Sequence, residues 1–454
     1  MKLKFFIMFL LTIFIVGSVN SVYSQEFDNE QISIEIVAEN LEIPWAIAFD
    51  PDGRIFVTER VGKLRVIEDG KLNPEPVKVL NVGIGEAGLL GLALDPNFEE
   101  NHFVYLYYTY SEFLTNYNKV VRYTENNNKL SDEKILLDKI PGAVFHDGGR
   151  MKFGPDKKLY ITTGDAGNAN SAQDLNSLSG KILRINSDGT IPEDNPFDNS
   201  SVYSYGHRNP QGLDWDPVTG KLVVTEHGHS AHDEVNVVEA GKNYGWPIVI
   251  GGEHDPKYVD PIIHTGDDTW APSGASFYNS DNIPDWKGKY FIATLRGSHL
   301  RMLDLDLESN EVISSEALFQ NSFGRLRDAS MGPDGNLYLL TSNRDGRGSP
   351  EENDDRILKI IKTPFLDDKA VLAPKNTTID PGFVIPYEEG EELTDYRSLS
   401  PKKQLEIGFS PDDVVCKKDL EKIFKSTNGL PACVNPDTAK QLVLRGWGIM
   451  EKNP

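Results

Sequence analysis

The chain has 454 residues, 39% of them hydrophobic and 25% charged, with a net charge of −23 at pH 7. That is enough for one large domain plus a smaller one, and it is not the composition of a disordered chain. So acidic a surface repels itself and suits a phosphate backbone poorly, which excludes nucleic acid as a partner.

Residues 1–24 read as a signal peptide. Met1-Lys2-Leu3-Lys4 gives a positive start, Phe5 to Val16 a short apolar run, and the smaller residues up to Ser24 a cleavage region. The expected location is extracytoplasmic, secreted or associated with the cell surface. The alternative is an uncleaved anchor, for which the apolar run is short. No later segment is apolar enough to span a bilayer, so no stable span is expected after cleavage.

Residues 30–363 carry one phrase six times, a Pro/Asp/Gly corner followed by a β-branched or aromatic run. Phe49-Asp50-Pro51-Asp52-Gly53 leads into Ile55-Phe56-Val57-Thr58, and Leu94-Asp95-Pro96 leads toward Phe103-Val104-Tyr105-Leu106. Later copies begin at Phe153-Gly154-Pro155-Asp156, Trp215-Asp216-Pro217, Ile283-Pro284-Asp285 and Met331-Gly332-Pro333-Asp334. Pro fixes φ at the corner while Asp and Gly complete the turn, and second strands such as Ile182-Leu183-Arg184-Ile185 follow. A spacing of roughly 45 to 70 residues per copy fits four-stranded blades, so the predicted fold is all-β, a β-propeller closed on itself. The inserts that would carry a site run from Asn81 to Leu90, Pro141 to Arg150, Gly164 to Gly180, Tyr205 to Gly212, Glu226 to Glu234 and Gly324 to Asp328.

Beyond Thr363 the pattern dissolves into an acidic linker over 364–400. A small module occupies 401–454, with short helices expected over Leu420–Phe424 and Ala439–Val443. Its Cys416 and Cys433 are the chain's two cysteines, and in an exported protein such a pair reads as a disulfide.

Within the inserts, Phe145-His146-Asp147-Gly148-Gly149-Arg150 sets one imidazole beside a Gly-Gly kink, a way to hold a base near neutrality. Tyr205-Gly206-His207-Arg208-Asn209-Pro210-Gln211-Gly212 offers Arg208 and Asn209 to a carbonyl-rich ligand. Arg325 and Arg327, two apart in an extended segment, share a face suited to carboxylates, with Arg296 a weaker partner. The loop Glu226-His227-Gly228-His229-Ser230-Ala231-His232-Asp233-Glu234, followed by Asn243-Tyr244-Gly245-Trp246-Pro247, has histidines for a transition metal. Its carbonyls and carboxylates equally suit a hard cation such as Ca²⁺. Short polar residues around Asp165 could meet hydroxyl-rich ligands or simply make turns.

In this order the motifs resemble the glucose/sorbosone dehydrogenase family of soluble quinoproteins, over roughly Leu41 to Ile361. Gly88-Leu89-Leu90-Gly91, His146 through Arg150, Gly206 through Gly212, Asn243 through Pro247, Ala271-Pro272-Ser273-Gly274 and Arg325-Leu326-Arg327-Asp328 carry the likeness jointly. The resemblance implies a six-bladed propeller with pyrroloquinoline quinone (PQQ) over the channel mouth, oxidation of an aldose sugar at C1 to a lactone, and an external electron acceptor. His146 would be the general base. Arg208 and Asn209 would hold the quinone oxygens, and Arg325, Arg327 and Arg296 the acid groups, Arg296 standing where the family often has lysine. Ca²⁺ at the cofactor would use the carbonyls of Gly228 and His229, with a second, structural Ca²⁺ on Glu234 and the carbonyl of Tyr244. Glu86 and Asp165 would lie on the substrate side. The chain departs from the family pattern at Glu86, Phe145, Ala166 and His229, and the first three touch the sugar pocket. The alternative reading is a non-catalytic propeller that binds carbohydrate or protein.

Overall fold

The computed structural model describes residues 23–27, 30–362 and, toward the C-terminus, 400–406, 414, 416–417, 420–425, 430–445 and 447–450. The expected signal peptide as far as Val22, and the linker as far as residue 399, lie outside them. The chain divides into two compact units at Phe365. No helix among the described residues is long and apolar enough to cross a membrane.

The first unit is a six-bladed β-propeller. Its inner strands are Pro44–Phe49, Leu89–Leu94, Met151–Phe153, Pro210–Trp215, Pro272–Phe277 and Leu326–Met331, each followed outward by antiparallel neighbours. All six copies of the sequence phrase sit where an inner strand hands over to the second strand of its blade. The Asp of the phrase fixes that corner: Asp50 accepts the Arg54 N–H at 2.7 Å, Asp95 that of Asn97 at 3.0 Å, and Asp216 that of Thr219 at 2.8 Å. The last blade is closed by the start of the chain, because Glu30–Ala38 pairs antiparallel with Ile357–Lys362.

Apolar faces meet between blades. Trp45, Phe56 and Leu64 of the first blade pack with Leu89, Tyr105 and Tyr107 of the second, each side chain contributing about 1.5–3 kcal/mol by leaving water. Near the axis the inner strands crowd, and side chains shrink. A Cβ on Gly91 would lie 2.1 Å from the Gly149 carbonyl oxygen, and one on Gly274 would lie 1.8 Å from Asp328 Oδ1.

Five of the six inner strands also slip register against their neighbour near their first residues. One extra residue therefore stands unpaired, Trp45 between Pro44 and Ala46, Gln211 between Pro210 and Gly212, and Arg327 between Leu326 and Asp328. Such bulges turn a side chain out of the sheet's alternation. Here they turn it toward the channel.

The second unit has a three-stranded sheet in the order Pro431–Val434, Glu421–Lys425, Gly448–Met450, with helices Pro401–Glu406 and Pro436–Leu444. Cys416 and Cys433 form a disulfide, their Cα atoms 5.5 Å apart. The helix expected over Ala439–Val443 lies within Pro436–Leu444, with Pro436 in its first turn and Asn435 accepting the Thr438 N–H at 2.8 Å. The helix expected over Leu420–Phe424 is instead a central strand. Partners on both edges satisfy its backbone, and this outweighs the local helical spacing.

Candidate active site

Two adjoining cavities, of about 520 and 760 Å³, open at the end of the channel where the bulges lie, and Glu86, Phe145, His227, Leu295, Arg325 and Arg347 line both. Behind Trp45 and Gln211, which line the first, lies a buried ion pair. Arg150 donates to Asp328 at 2.9 Å and to the Gln211 carbonyl at 2.9 Å, with its guanidinium carbon 4.2 Å from the Trp45 ring centre. Arg150 ends the Phe145–Arg150 segment, yet it braces the channel rather than a ligand. Arg327 lines the first cavity, donating to Gln211 Oε1 at 2.8 Å. Burial, with Arg60 nearby, lowers its pKa to about 9.

His146 has φ of +59°, the left-handed conformation that turns the chain ahead of Gly148 and Gly149. Its Nδ1 lies 2.8 Å from Asp165 Oδ1. Asp165 also accepts Gly167 N–H at 2.8 Å and the Trp246 indole N–H at 2.9 Å. Burial alone would raise the Asp165 pKa, but these donors, His146 foremost, hold it below the ordinary carboxylate value. An ionised carboxylate there assigns the proton to Nδ1 and leaves Nε2 as the nitrogen able to take one. The His146 ring lines the second cavity, so the two predicted residues form one dyad at the cleft.

Arg208 extends over the Trp246 ring at 5.4 Å and donates to the His227 carbonyl at 3.0 Å. Its own N–H is held by the Glu226 carboxylate. The other Glu226 oxygen lies 2.9 Å from Nδ1 of His207, which is fully buried and stacked on Tyr244 at 4.7 Å. His207 is thus the packing post from which Arg208 projects. Buried Asn209 accepts the Gly148 N–H at 3.1 Å. Three buried N–H donors around the cleft, Arg208 Nε, Asn209 Nδ2 and Arg327 Nε, have no hydrogen-bond partner, and neither does His227 Nε2. Burial keeps the His227 ring neutral and its bond to the Pro272 backbone takes the ring N–H, so Nε2 is an acceptor and the unmet donors are the two arginines and Asn209.

Arg325 lines both cavities, but its side chain already holds Asp345 Oδ2 through Nε at 2.9 Å and Nη2 at 2.8 Å. Arg325 and Arg327 both reach the cleft from different surroundings, one from the loop and one from the bulge. Arg296 is exposed at the second cavity.

The four residues expected at calcium fall in two places. Gly228 lines the second cavity and donates to Asp233 at 3.0 Å, while His229 is exposed with its ring 5.7 Å from that of Trp246. A Cβ on Gly228 would lie 1.9 Å from the His232 carbonyl oxygen and 2.4 Å from that of Ala231, so backbone oxygens crowd this turn. Glu234 and Tyr244 line neither cavity. Burial, followed by the Glu226 charge, raises the Glu234 pKa to about 8. Among the described residues no group of three or more His, Cys, Asp or Glu side chains is arranged for a metal, so the histidine-rich loop offers no transition-metal cage.

Glu86, expected on the substrate side, accepts the His146 N–H at 3.4 Å and pairs with Arg347 at 2.6 Å. Arg347 and Asp345 escaped the sequence reading, as did Trp45 and Arg60. For the first two the available signal was Arg344-Asp345-Gly346-Arg347-Gly348, a polar, glycine-rich interruption between the strands Leu337–Thr341 and Ile357–Lys362.

The sequence profile of the family described as Glucose / Sorbosone dehydrogenase matches residues 41–358. Aldose sugar dehydrogenase YliI of Escherichia coli is 32% identical over 340 residues, covering 69% of this chain and 91% of that protein. Quinoprotein glucose dehydrogenase B of Acinetobacter calcoaceticus is 29% identical, covering 74% and 90%. The PQQ-bound form of aldose sugar dehydrogenase from Streptomyces coelicolor superposes with a TM-score of 0.66 at 35% identity, covering 73% of this chain and 98% of that one.

Proposed function

The chain belongs to the glucose/sorbosone dehydrogenase family, and we propose that it is an exported quinoprotein that oxidises an aldose at C1 to its lactone, with His146 as general base, PQQ as hydride acceptor and Ca²⁺ assisting. The observation that carries this reading is the His146–Asp165 dyad at a cleft ringed by arginines and unpaired buried donors. PQQ, when bound, supplies the acceptor for the C1 hydride. His146 Nε2 takes the proton of the anomeric hydroxyl, while Asp165 keeps the ring oriented and stabilises the imidazolium that forms. Arg208 and Asn209, each with a nitrogen lacking a partner, would hold the quinone oxygens. Arg327, with Arg325 and Arg296 beside it, neutralises carboxylates.

The donor set fits such a group, because three N–H donors lacking partners, on Arg208, Asn209 and Arg327, match a ligand rich in acceptors. A hard cation at the carbonyls of Gly228 and His229 rests on the family resemblance, and one near Glu234 also on the repulsion between Glu234 and Glu226. Export rests on the leader read in residues 1–24, and an external acceptor takes the electrons onward.

The test is dye reduction by purified protein with PQQ, Ca²⁺ and a panel of aldoses, alongside His146→Ala. Activity is expected to fall at least about a hundredfold in the variant, the scale of a removed general base, with PQQ binding retained. Failure of the wild type to bind micromolar PQQ would sink the reading.

A further inference from the structure

Two loops meet over the cleft through one charged contact. Glu86 sits on the loop ahead of inner strand Leu89–Leu94, its N–H bonded to the Val144 carbonyl at 2.9 Å. Arg347 sits on the loop between the second and third strands of the last blade, and its Nη2 lies 2.6 Å from Glu86 Oε1. Both residues line both cavities.

Neither side chain is placed by chance. Asp345 Oδ1 accepts the Arg347 N–H at 2.8 Å and the Gly348 N–H at 3.2 Å, and its other oxygen is clamped by Arg325. The turn that presents Arg347 is thereby tied to an arginine of the cleft. The second Glu86 oxygen faces the His146 N–H. Arg347 is nevertheless 65% exposed and Glu86 27%, so the contact is open to solvent and to a ligand. As a brace for two loops such a pair contributes little. As a recognition element it offers a fixed acceptor and a fixed donor side by side, with no net charge.

We propose that Glu86 and Arg347 together determine substrate specificity, Glu86 accepting from one sugar hydroxyl and Arg347 donating to its neighbour, so that the site selects neutral aldoses presenting a vicinal diol. An acidic sugar would have to draw Arg347 away and leave its own charge against Glu86. The inference rests on the quinoprotein reading above and names the substrate class of that same site.

The experiment compares wild type, Arg347→Ala and Glu86→Gln, each loaded with PQQ, on glucose, its 2-, 3- and 4-deoxy analogues, and glucuronic acid. Arg347→Ala is expected to raise KM for glucose about tenfold with kcat within about threefold, and to leave unchanged the KM for the one deoxy sugar lacking the hydroxyl it served. Calorimetric titration with 1,5-anhydroglucitol, which lacks the anomeric hydroxyl and is not oxidised at C1, should show about tenfold weaker binding. Glu86→Gln should raise kcat/KM for glucuronic acid relative to glucose. No change in Arg347→Ala, or the same loss for glucose and every deoxy analogue, overturns the inference while the parent reading stands, as does unchanged discrimination against glucuronic acid in Glu86→Gln. A wild type that binds no PQQ or oxidises no aldose overturns both.

Discussion

Asp147, next to His146, lines the first cavity with its Oδ2 unpartnered, while its other oxygen accepts from Ala143 N–H at 3.0 Å and Asn118 Nδ2 at 2.9 Å. Burial raises its pKa to about 7. Because the folded value lies above the unfolded one, between about pH 4 and 7 the native protein keeps a proton that the unfolded chain has released. This stabilisation is complete below about pH 4 and is lost as pH rises through 7. Asp147→Asn, which keeps the shape of the neutral acid, should therefore gain on the order of 2–4 kcal/mol over wild type at pH 8 and little at pH 4, read from denaturant melts at both. Equal differences at the two pH values would show that Asp147 ionises freely in the fold. At this scale His146, Arg208 and Asn209 were legible as candidates because each lies in a run of glycines and polar residues that interrupts the apolar strand pattern. Trp45 was not, since in Pro44-Trp45-Ala46-Ile47 it reads as one more apolar strand residue.

The elements that form the cleft are strands interrupted by one residue. A single inserted residue leaves the apolar character of a short strand intact, so the bulges at Gln211 and Arg327 were invisible, although the corners that begin each blade were plain from Asp and Pro. A second element-level device is the anchoring of the Gly164–Gly180 insert, which runs within one blade rather than between blades. Buried Lys181, at the start of strand Lys181–Ile185, donates to the carbonyls of Ser171, Ala172 and Ser179 at 2.9, 3.0 and 2.6 Å. Lys181→Met leaves three carbonyls unpaired beneath the loop that carries Asp165. A loss of about 2–4 kcal/mol in thermal unfolding is expected, with a fall in kcat as the dyad loosens. Wild-type stability in the variant would mean that water replaces the ammonium without penalty.

The molecule as a whole depends on its seam. Ile32 and Ile34 of the closing strand Glu30–Ala38 are each 1% exposed and pack in the core of the last blades. Ile34→Ala should cost about 2–4 kcal/mol in guanidinium melts, whereas Ile313→Ala, at a site 66% exposed, should stay within about 0.5 kcal/mol. Comparable losses at both sites would show that the seam holds no special share of stability. The same seam sets an order in time. Glu30–Ala38, with Tyr23–Phe27 on its outer edge, is made before the other five blades, yet the partner of its inner edge, Ile357–Lys362, lies at the far end of the ring, so that edge stays open until the last blade emerges. Closure is then one late event that seats a segment made before the first complete blade against the newest.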